Sequence, residues 1–310
     1  MTDHHFSSHP RFCGHPSKGH LVKKSILLFA GFLFLSLTPL SAQSSVWEVT
    51  DGENKLYLGG TVHILRKSDF PLPDEFEQAY TDSDALVFEV APSDLKDPSL
   101  AVKMLTLSTY KDGRTMKSVL SEEAYSALEA YCEKANIPLE AFRHYKPGAF
   151  LMFISLHEYT KLGFTDEGVE TFFEPRATKD GKSISALETA EFQINLLTEM
   201  GEGFEDDFIL YSIKDMEKIG EMAEDMVSAW REGSLQALED LMVDSMKELP
   251  EVYDAFLKDR NIDWIPKIEA LLKTDPVEFI LVGAAHLPGK NGVIPLLKEK
   301  GYTVKQLELK

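Results

Sequence analysis

Two segments at opposite ends of this chain follow one pattern, and any fold must accommodate both. Residues 55–90 and 278–309 each run in the order apolar strand, Gly-x-x-His, Pro-containing loop, helix, apolar strand. The first contains Gly60-Thr61-Val62-His63 and the second Gly283-Ala284-Ala285-His286, each where its strand finishes. Identity between the units is slight, so the pattern hints at a structural duplication. Two such units paired about a pseudo-twofold axis would bring their strand ends together. The architecture expected is α/β (α+β): a central mixed β-sheet built from the N- and C-terminal parts of the chain, covered by a large helical middle region.

The rest of the pattern agrees. Val46–Val49 and Lys55–Val62 read as a hairpin, with Asp51-Gly52-Glu53-Asn54 supplying the turn. Asp74 is a candidate N-cap for a helix over Glu75–Thr81, and Ala85–Val90 is a third strand, apolar except for Glu89. From about Asp97 to Asp275 the apolar period is helical. Ser121 starts one helix, Asn136-Ile137-Pro138 interrupts, and Gly148–Leu162 carries a broad apolar face. Phe204–Trp230 reads as one long amphipathic helix. A single strand, Ser183–Glu188, breaks that stretch. Glu278–Gly283 returns to strand, Val293–Lys300 is helical, and Tyr302–Leu309 alternates as a final strand. No linker rich in Pro, Gly or Ser divides residues 43–310, so one domain is expected there.

The first 42 residues obey other rules. Lys23-Lys24 leads into the apolar run Ser25–Leu37, and Thr38-Pro39-Leu40-Ser41-Ala42 ends on a small residue. That order describes a secretory signal peptide cleaved near Ala42. The run is shorter than the roughly 20 residues a bilayer span needs, and a retained anchor is the alternative. The expected location is extracytoplasmic, periplasmic or secreted, with no stable membrane span after cleavage. Cleavage would remove four basic residues and one acidic residue, taking the net charge from −19 to −22. So acidic a surface repels nucleic acid and anionic lipid. Cys13 would leave as well, so Cys132 has no disulfide partner and the core alone must hold the fold. Of nine histidines, only His63, His144, His157 and His286 would remain.

Ligands and catalytic groups in open α/β sheets favour the space just past the carboxyl ends of strands, where His63 and His286 fall. Gly60 and Gly283 are expected to leave backbone room beside the imidazoles. Imidazole suits borderline divalent metals such as Zn, Mn or Co, and it is the usual general base near neutral pH. The alternative is that both histidines are satisfied core residues. Glu89 adds to the functional reading, because an ionised carboxylate inside an apolar strand is costly unless paired or bound to a cation. A metal shared with His63 and His286, or a hydrogen-bonded His, would satisfy it. Glu188 has a similar but less protected setting at the end of its strand. His144, in a loop, and His157, on a helix beside Glu158, read as structural.

These residues support a family resemblance. The segments YLGGTVHILRKSDFPLPDEFEQAYTDSDALVFEVAP and FILVGAAHLPGKNGVIPLLKEKGYTVKQL resemble the two signature ends of the TraB/GumN family, relatives of the TIKI proteins. GKSISALETAEFQ and RNIDW are similar to its internal landmarks, and the resemblance covers most of residues 46–310. It implies a sheet-and-helix fold related to the erythromycin-esterase and haem-uptake ChaN-like group. Animal TIKI members are divalent-metal-dependent proteases that clip secreted signalling proteins. By that resemblance His63, Glu89 and His286 form the site, with Glu188 and the Arg260-Asn261 pair near it. This chain departs from the pattern twice: Gly168-Val169-Glu170 stands where Gly-aliphatic-Asp is common, and Gly148 follows Pro147 where an aromatic is common.

The function expected is an exported metal-dependent hydrolase, a peptidase acting on a peptide or protein substrate. His63, Glu89, His286 and Glu188 would hold a divalent ion (Mn, Co or Zn). Glu89 would be a ligand or the general base, and Arg260 would steady a carboxylate or a developing oxyanion. The alternative is a non-catalytic extracytoplasmic binding or regulatory protein for haem, a metal ion or a signalling peptide. The sequence sets no oligomeric state.

Overall fold

The two ends of the chain meet in one sheet. In the computed structural model, which describes residues 43–309, β2 (Lys55–Thr61) and β5 (Glu278–Gly283) lie side by side and parallel. Their register sets Tyr57 opposite Phe279 and Thr61 opposite Gly283. The signal peptide expected over residues 1–42 lies outside the described residues. The sheet has six strands in the order β4-β3-β5-β2-β1-β6, where β1 is Val46–Thr50, β3 Ala85–Phe88, β4 Ser183–Ala186 and β6 Thr303–Gln306. β4, β3, β5 and β2 are mutually parallel, and β1 pairs antiparallel with both β2 and β6, so the sheet is mixed.

The crossovers explain the two-sided layering. From β2 the chain passes through α1 (Asp74–Asp82) to β3 on one side of β5. From β5 it passes through α9 (Val293–Glu299) to β6 on the other side of β2. Right-handed crossovers that leave in opposite directions must place their helices on opposite faces. Phe76 of α1 accordingly packs with Tyr57, Phe88, Phe279 and Leu281, together with Phe173 of α4 (Val169–Asp180) and Trp230 of α7 (Ile219–Glu232). Ile294 and Leu297 of α9 pack on the other face with Leu58, Val87, Ile280, Val282, and Trp264 and Ile268 of α8 (Asp259–Leu271). The duplicate pattern thus has a twofold relation at its centre. It stops at the outer strands, since β1 stands between β2 and β6 while β3 neighbours β5 directly.

The helical middle builds a third core. Leu128 and Cys132 of α2 (Glu122–Ala135), Phe150 and Ile154 of α3 (Pro147–Lys161), and Phe208 and Ile209 of α6 (Glu205–Met216) pack together. Burial pushes the Cys132 thiol up to about 11, which leaves it a packing residue. Ser121 caps α2 through Ala124 N–H, and Asn136 closes it in the left-handed conformation.

Three expectations are corrected. Phe204–Trp230 is two helices, α6 and α7, because Phe208, Ile209 and Met216 face the helical core while Ala223, Val227 and Trp230 face the sheet. Pro73, not Asp74, occupies the N-cap of α1, and Asp74 sits in the first turn, where its charge favours the helix dipole. Strand β3 ends at Phe88, so Glu89 lies one residue beyond the sheet ladder. Among the described residues no helix is long and apolar enough to cross a membrane.

Trp230 ties these layers together. Fully buried, it donates Nε1–H to Gly60 O at 2.7 Å, while its own carbonyl accepts from Ser45 Oγ at 2.6 Å. Trp230→Ala is therefore expected to destabilise the protein by about 3–5 kcal/mol, measured by urea unfolding at constant m-value.

Candidate functional site

β2 and β5 are neighbours whose onward connections run opposite ways, and such a switch point opens a crevice past the strand ends. His63 emerges there two residues after β2, and His286 three residues after β5. Glu89 follows β3 and Glu188 follows β4, on the same edge. Arg260 reaches in from the first turn of α8. The residue pattern points to four of these five, the family resemblance adds Arg260, and the structure brings all five together.

Each imidazole is held by its Nδ1. His286, buried, lies 2.6 Å through Nδ1 from Asn261 Oδ1. The Asn261 amide nitrogen donates to the His286 and Asn291 carbonyls, so Oδ1 accepts and His286 Nδ1 carries the proton. Trp264 lies against the ring at 4.4 Å between centroids. Burial brings the His286 pKa down to about 3, which leaves a neutral ring with its Nε2 lone pair toward the crevice. His63 is the opposite case, with a side chain 66 % exposed and Nδ1 2.7 Å from Glu170 Oε1. That carboxylate, which also accepts from Thr61 Oγ1, raises the His63 pKa to about 9.

Glu170 was noticed in the sequence only as a family departure, and its contact with His63 is what sequence reasoning missed. α4 begins against the backbone of residues 62–65, with Val169 N–H donating to Val62 O and Leu65 N–H to Glu167 O. Gly168 permits this approach, since a Cβ there would stand 2.2 Å from His63 O. A short Gly-x-Glu at a helix start is the only signal the sequence offered.

Glu89 Oε1 accepts from Gly283 N–H at 2.6 Å, and Oε2 accepts from Arg260 Nη2 at 2.6 Å and from Nε2 of Gln193, on α5 (Ala190–Thr198), at 3.0 Å. Burial opposes its charge, and the surrounding cations and the Gly283 N–H outweigh that penalty, bringing its pKa to about 2. With His286 neutral, the charges that do this near pH 7 are Arg260 and His63. Glu188 grips the same guanidinium through Nε at 2.9 Å and Nη2 at 2.8 Å, and also accepts from Trp264 Nε1 at 2.8 Å. Its oxygens therefore hold Arg260 in this arrangement instead of facing the crevice. Arg260 Nη1 rests 3.1 Å from His286 Nε2.

A Cβ built on Gly283 would sit 3.2 Å from Glu89 Oε1, 3.5 Å from His63 Nε2 and 3.6 Å from His286 Cδ2. The missing side chain is the space around which these groups gather. Gly60 does not share that role. Its Cβ would strike Leu287 Cδ1 at 2.8 Å, so it serves packing, which corrects the expectation of room beside His63. At Gly148 a Cβ would lie 2.1 Å from Met200 O, so the backbone of Met200 fills the place of any larger side chain.

As the side chains stand, no three His, Cys, Asp or Glu among the described residues form a metal-binding group, and Arg260 covers the lone pair of His286. The donor chemistry nonetheless fits a divalent ion: two imidazoles fixed at Nδ1 and one ionised carboxylate border the Gly283 space. His144 and His157 are exposed and do not border it.

Above this polar floor stands a cavity of about 390 Å³ with apolar walls that include Leu196, Leu197, Met226 and Met242. Two π-helical turns, Glu239–Val243 and Asp254–Lys258, supply Met242, Phe256 and Leu257 to it. Such turns recur at functional sites because the extra residue re-aims the side chains.

A sheet of this topology, with paired strand-end histidines at its switch point, defines a class of α/β proteins built from the two ends of the chain. The chain belongs to the TraB/PrgY/gumN family, whose pattern it matches over residues 45–306. No curated protein and no solved structure matches it.

The His63–Glu170 pair stabilises the fold fully below the ordinary histidine pKa of 6.5, and this contribution fades as pH rises through about 9. In chelator-treated protein, Glu170→Gln is expected to move the His63 midpoint from about 9 back toward 6.5. Histidine ring signals followed by NMR titration would report it, and an unmoved midpoint would remove Glu170 from this role.

Proposed function

We propose that this protein is a divalent-metal-dependent hydrolase that cleaves an amide bond, in the first instance a peptide bond, outside the cytoplasm. One observation carries the reading. His63 and His286 each have Nδ1 anchored to an acceptor, and their other ring edges meet the ionised Glu89 around the empty side-chain position of Gly283.

His63 Nε2 and His286 Nε2 would hold the ion, with Glu89 beside it as a third ligand or as the general base. Bound there, a divalent ion supplies Lewis acidity, polarising a carbonyl and making nearby water a stronger acid. The protein supplies the rest. Asn261 fixes the His286 tautomer with its lone pair toward the crevice, and Glu170 holds His63 so that Nε2 faces the same space, where a bound ion would take the place of its proton. Glu89, ionised and buried, accepts the proton of an attacking water. Arg260, fixed by Glu188 and Glu89, presents Nη1 to the same space and is placed to donate to an oxygen that gains negative charge. Walls of Leu, Met and Phe make the inner side of the space apolar, which strengthens the electrostatic interactions there.

Arg260 also favours a second reading. Because its guanidinium already covers the His286 lone pair, the pocket can instead hold a ligand without turnover, as a binding or regulatory protein for haem, a metal ion or a signalling peptide. The two readings part in one set of measurements on residues 43–310 purified without chelator. The hydrolase is expected to retain near-stoichiometric metal, to lose it in His286→Ala, and to stop cleaving peptides on chelation. Glu89→Gln is expected to lower kcat by about 10²-fold or more, the usual worth of a general base. A metal-free wild type that binds haem with a Soret band and cleaves nothing would overturn the hydrolase in favour of the binding protein.

A further inference from the structure

Seven of the ten methionines line two cavities that adjoin the crevice. The first is the 390 Å³ space above His63, Glu89 and His286, and the second measures about 420 Å³. Tyr159 of α3 and Met246 line both, so the two cavities adjoin at this pair. Beyond that wall lie Met152, Met200, Met216 and Met222, with Leu151 and Phe208. Both volumes fall in the range of small-molecule pockets, roughly 300–1,000 Å³.

The chemistry of the lining selects a ligand. Methionine is unbranched, flexible and polarisable, and it fits irregular apolar groups that a rigid Ile or Val wall would refuse. The charged groups of the first cavity gather at one end, where the chemistry is proposed, and its other walls are apolar apart from Gln193 and the Tyr159 hydroxyl. The polar side chains of the second cavity are three serines, Tyr159, Tyr211 and Asp215, and Tyr211 already donates to Ser245 O at 2.8 Å. An extended peptide would bring an N–H and a C=O at every residue, each costly to bury without a partner. A hydrocarbon chain brings none.

We propose that the acyl part of the substrate is a long unbranched apolar chain, with its carbonyl over Gly283 and its tail running past Tyr159 and Met246 into the second cavity. The inference rests on the hydrolase reading for the fate of the carbonyl. Water would add across the acyl carbon–nitrogen bond, the C–N bond would break, and the products would be a fatty acid and a protonated or neutral amine. The leaving amine can belong to a peptide, which faces the open side of the crevice beside the exposed His63. Tyr159 and Met246 are the specificity-determining pair, because only a chain long enough to reach them gains the second cavity.

The test needs neither metal nor turnover, so its failure is separable from failure of the hydrolase. Straight-chain primary alcohols from hexanol to dodecanol would be titrated against protein carrying fluorescent aminoanthracene, and their affinities read from displacement. Each added methylene is expected to tighten binding by about fourfold while it still enters apolar space. Met222→Trp, which fills only the second cavity, is expected to leave hexanol binding within about twofold and to cut the advantage of dodecanol by about tenfold or more. Wild-type affinities that stop rising at hexanol would overturn the proposal whether or not the variant folds. An unchanged length dependence in folded Met222→Trp would overturn the route through the second cavity.

Discussion

The parallel pairing of β2 with β5 is the contact on which the remaining structure depends. It joins segments separated by more than two hundred residues, and its register alone decides that Thr61 faces Gly283. The crevice then follows from handedness, since the crossovers leave in opposite directions and the strand ends between them are left uncovered. Both helical layers lean on the same pair of strands. Tyr57, Phe279 and Leu281 face one layer, and Leu58, Ile280 and Val282 face the other.

The crevice is held electrostatically by one residue. Arg260 bonds two buried carboxylates, one past β3 and the other past β4, and so fixes the parallel edge of the sheet to α8. Burying such a triad is expensive, and the attraction recovers the cost only when the remaining donors and acceptors are satisfied. Here they are: Gln193, Trp264, the Gly283 N–H and the Phe256 carbonyl complete the network. A planar guanidinium suits this better than an ammonium, because its fork meets Glu188 through two parallel bonds while its remaining N–H groups reach Glu89 and His286. The two histidines consequently differ. One is buried, neutral and aimed by an amide, and the other is exposed and charged by a carboxylate. One floor thus carries a neutral imidazole and a charged one side by side.

Much of this was legible in the chain. The apolar runs ending in Gly-x-x-His gave the strand ends, because a parallel strand buried on both faces must be continuously apolar and must end where polar residues begin. Glu89 stood out because a carboxylate beside Phe88 and Val90 needs a partner. Its partner Arg260 came from the family resemblance, and the contacts that aim the histidines and Arg260 had no such mark. Asn261 and Trp264 sit on one turn of a helix whose apolar stripe reads equally well as core, and Glu170 opens a helix with no mark of its own. Phe204–Trp230 looked continuous because periodicity does not reveal that two halves of one amphipathic stretch bury themselves in different cores.

What the sequence determined by itself was local and chemical: which segments are strands, where they stop, and which titratable side chains stand at those stops. What only the tertiary structure decided was relational. Strand order placed β5 between β2 and β3, and with it His286 between His63 and Glu89. The packing of α8 buried His286 and kept it neutral, while the packing of α4 set a carboxylate against His63 and charged it. Side-chain identity fixes what a group can do, but a pKa and a lone-pair direction are set by neighbours that the linear order does not reveal.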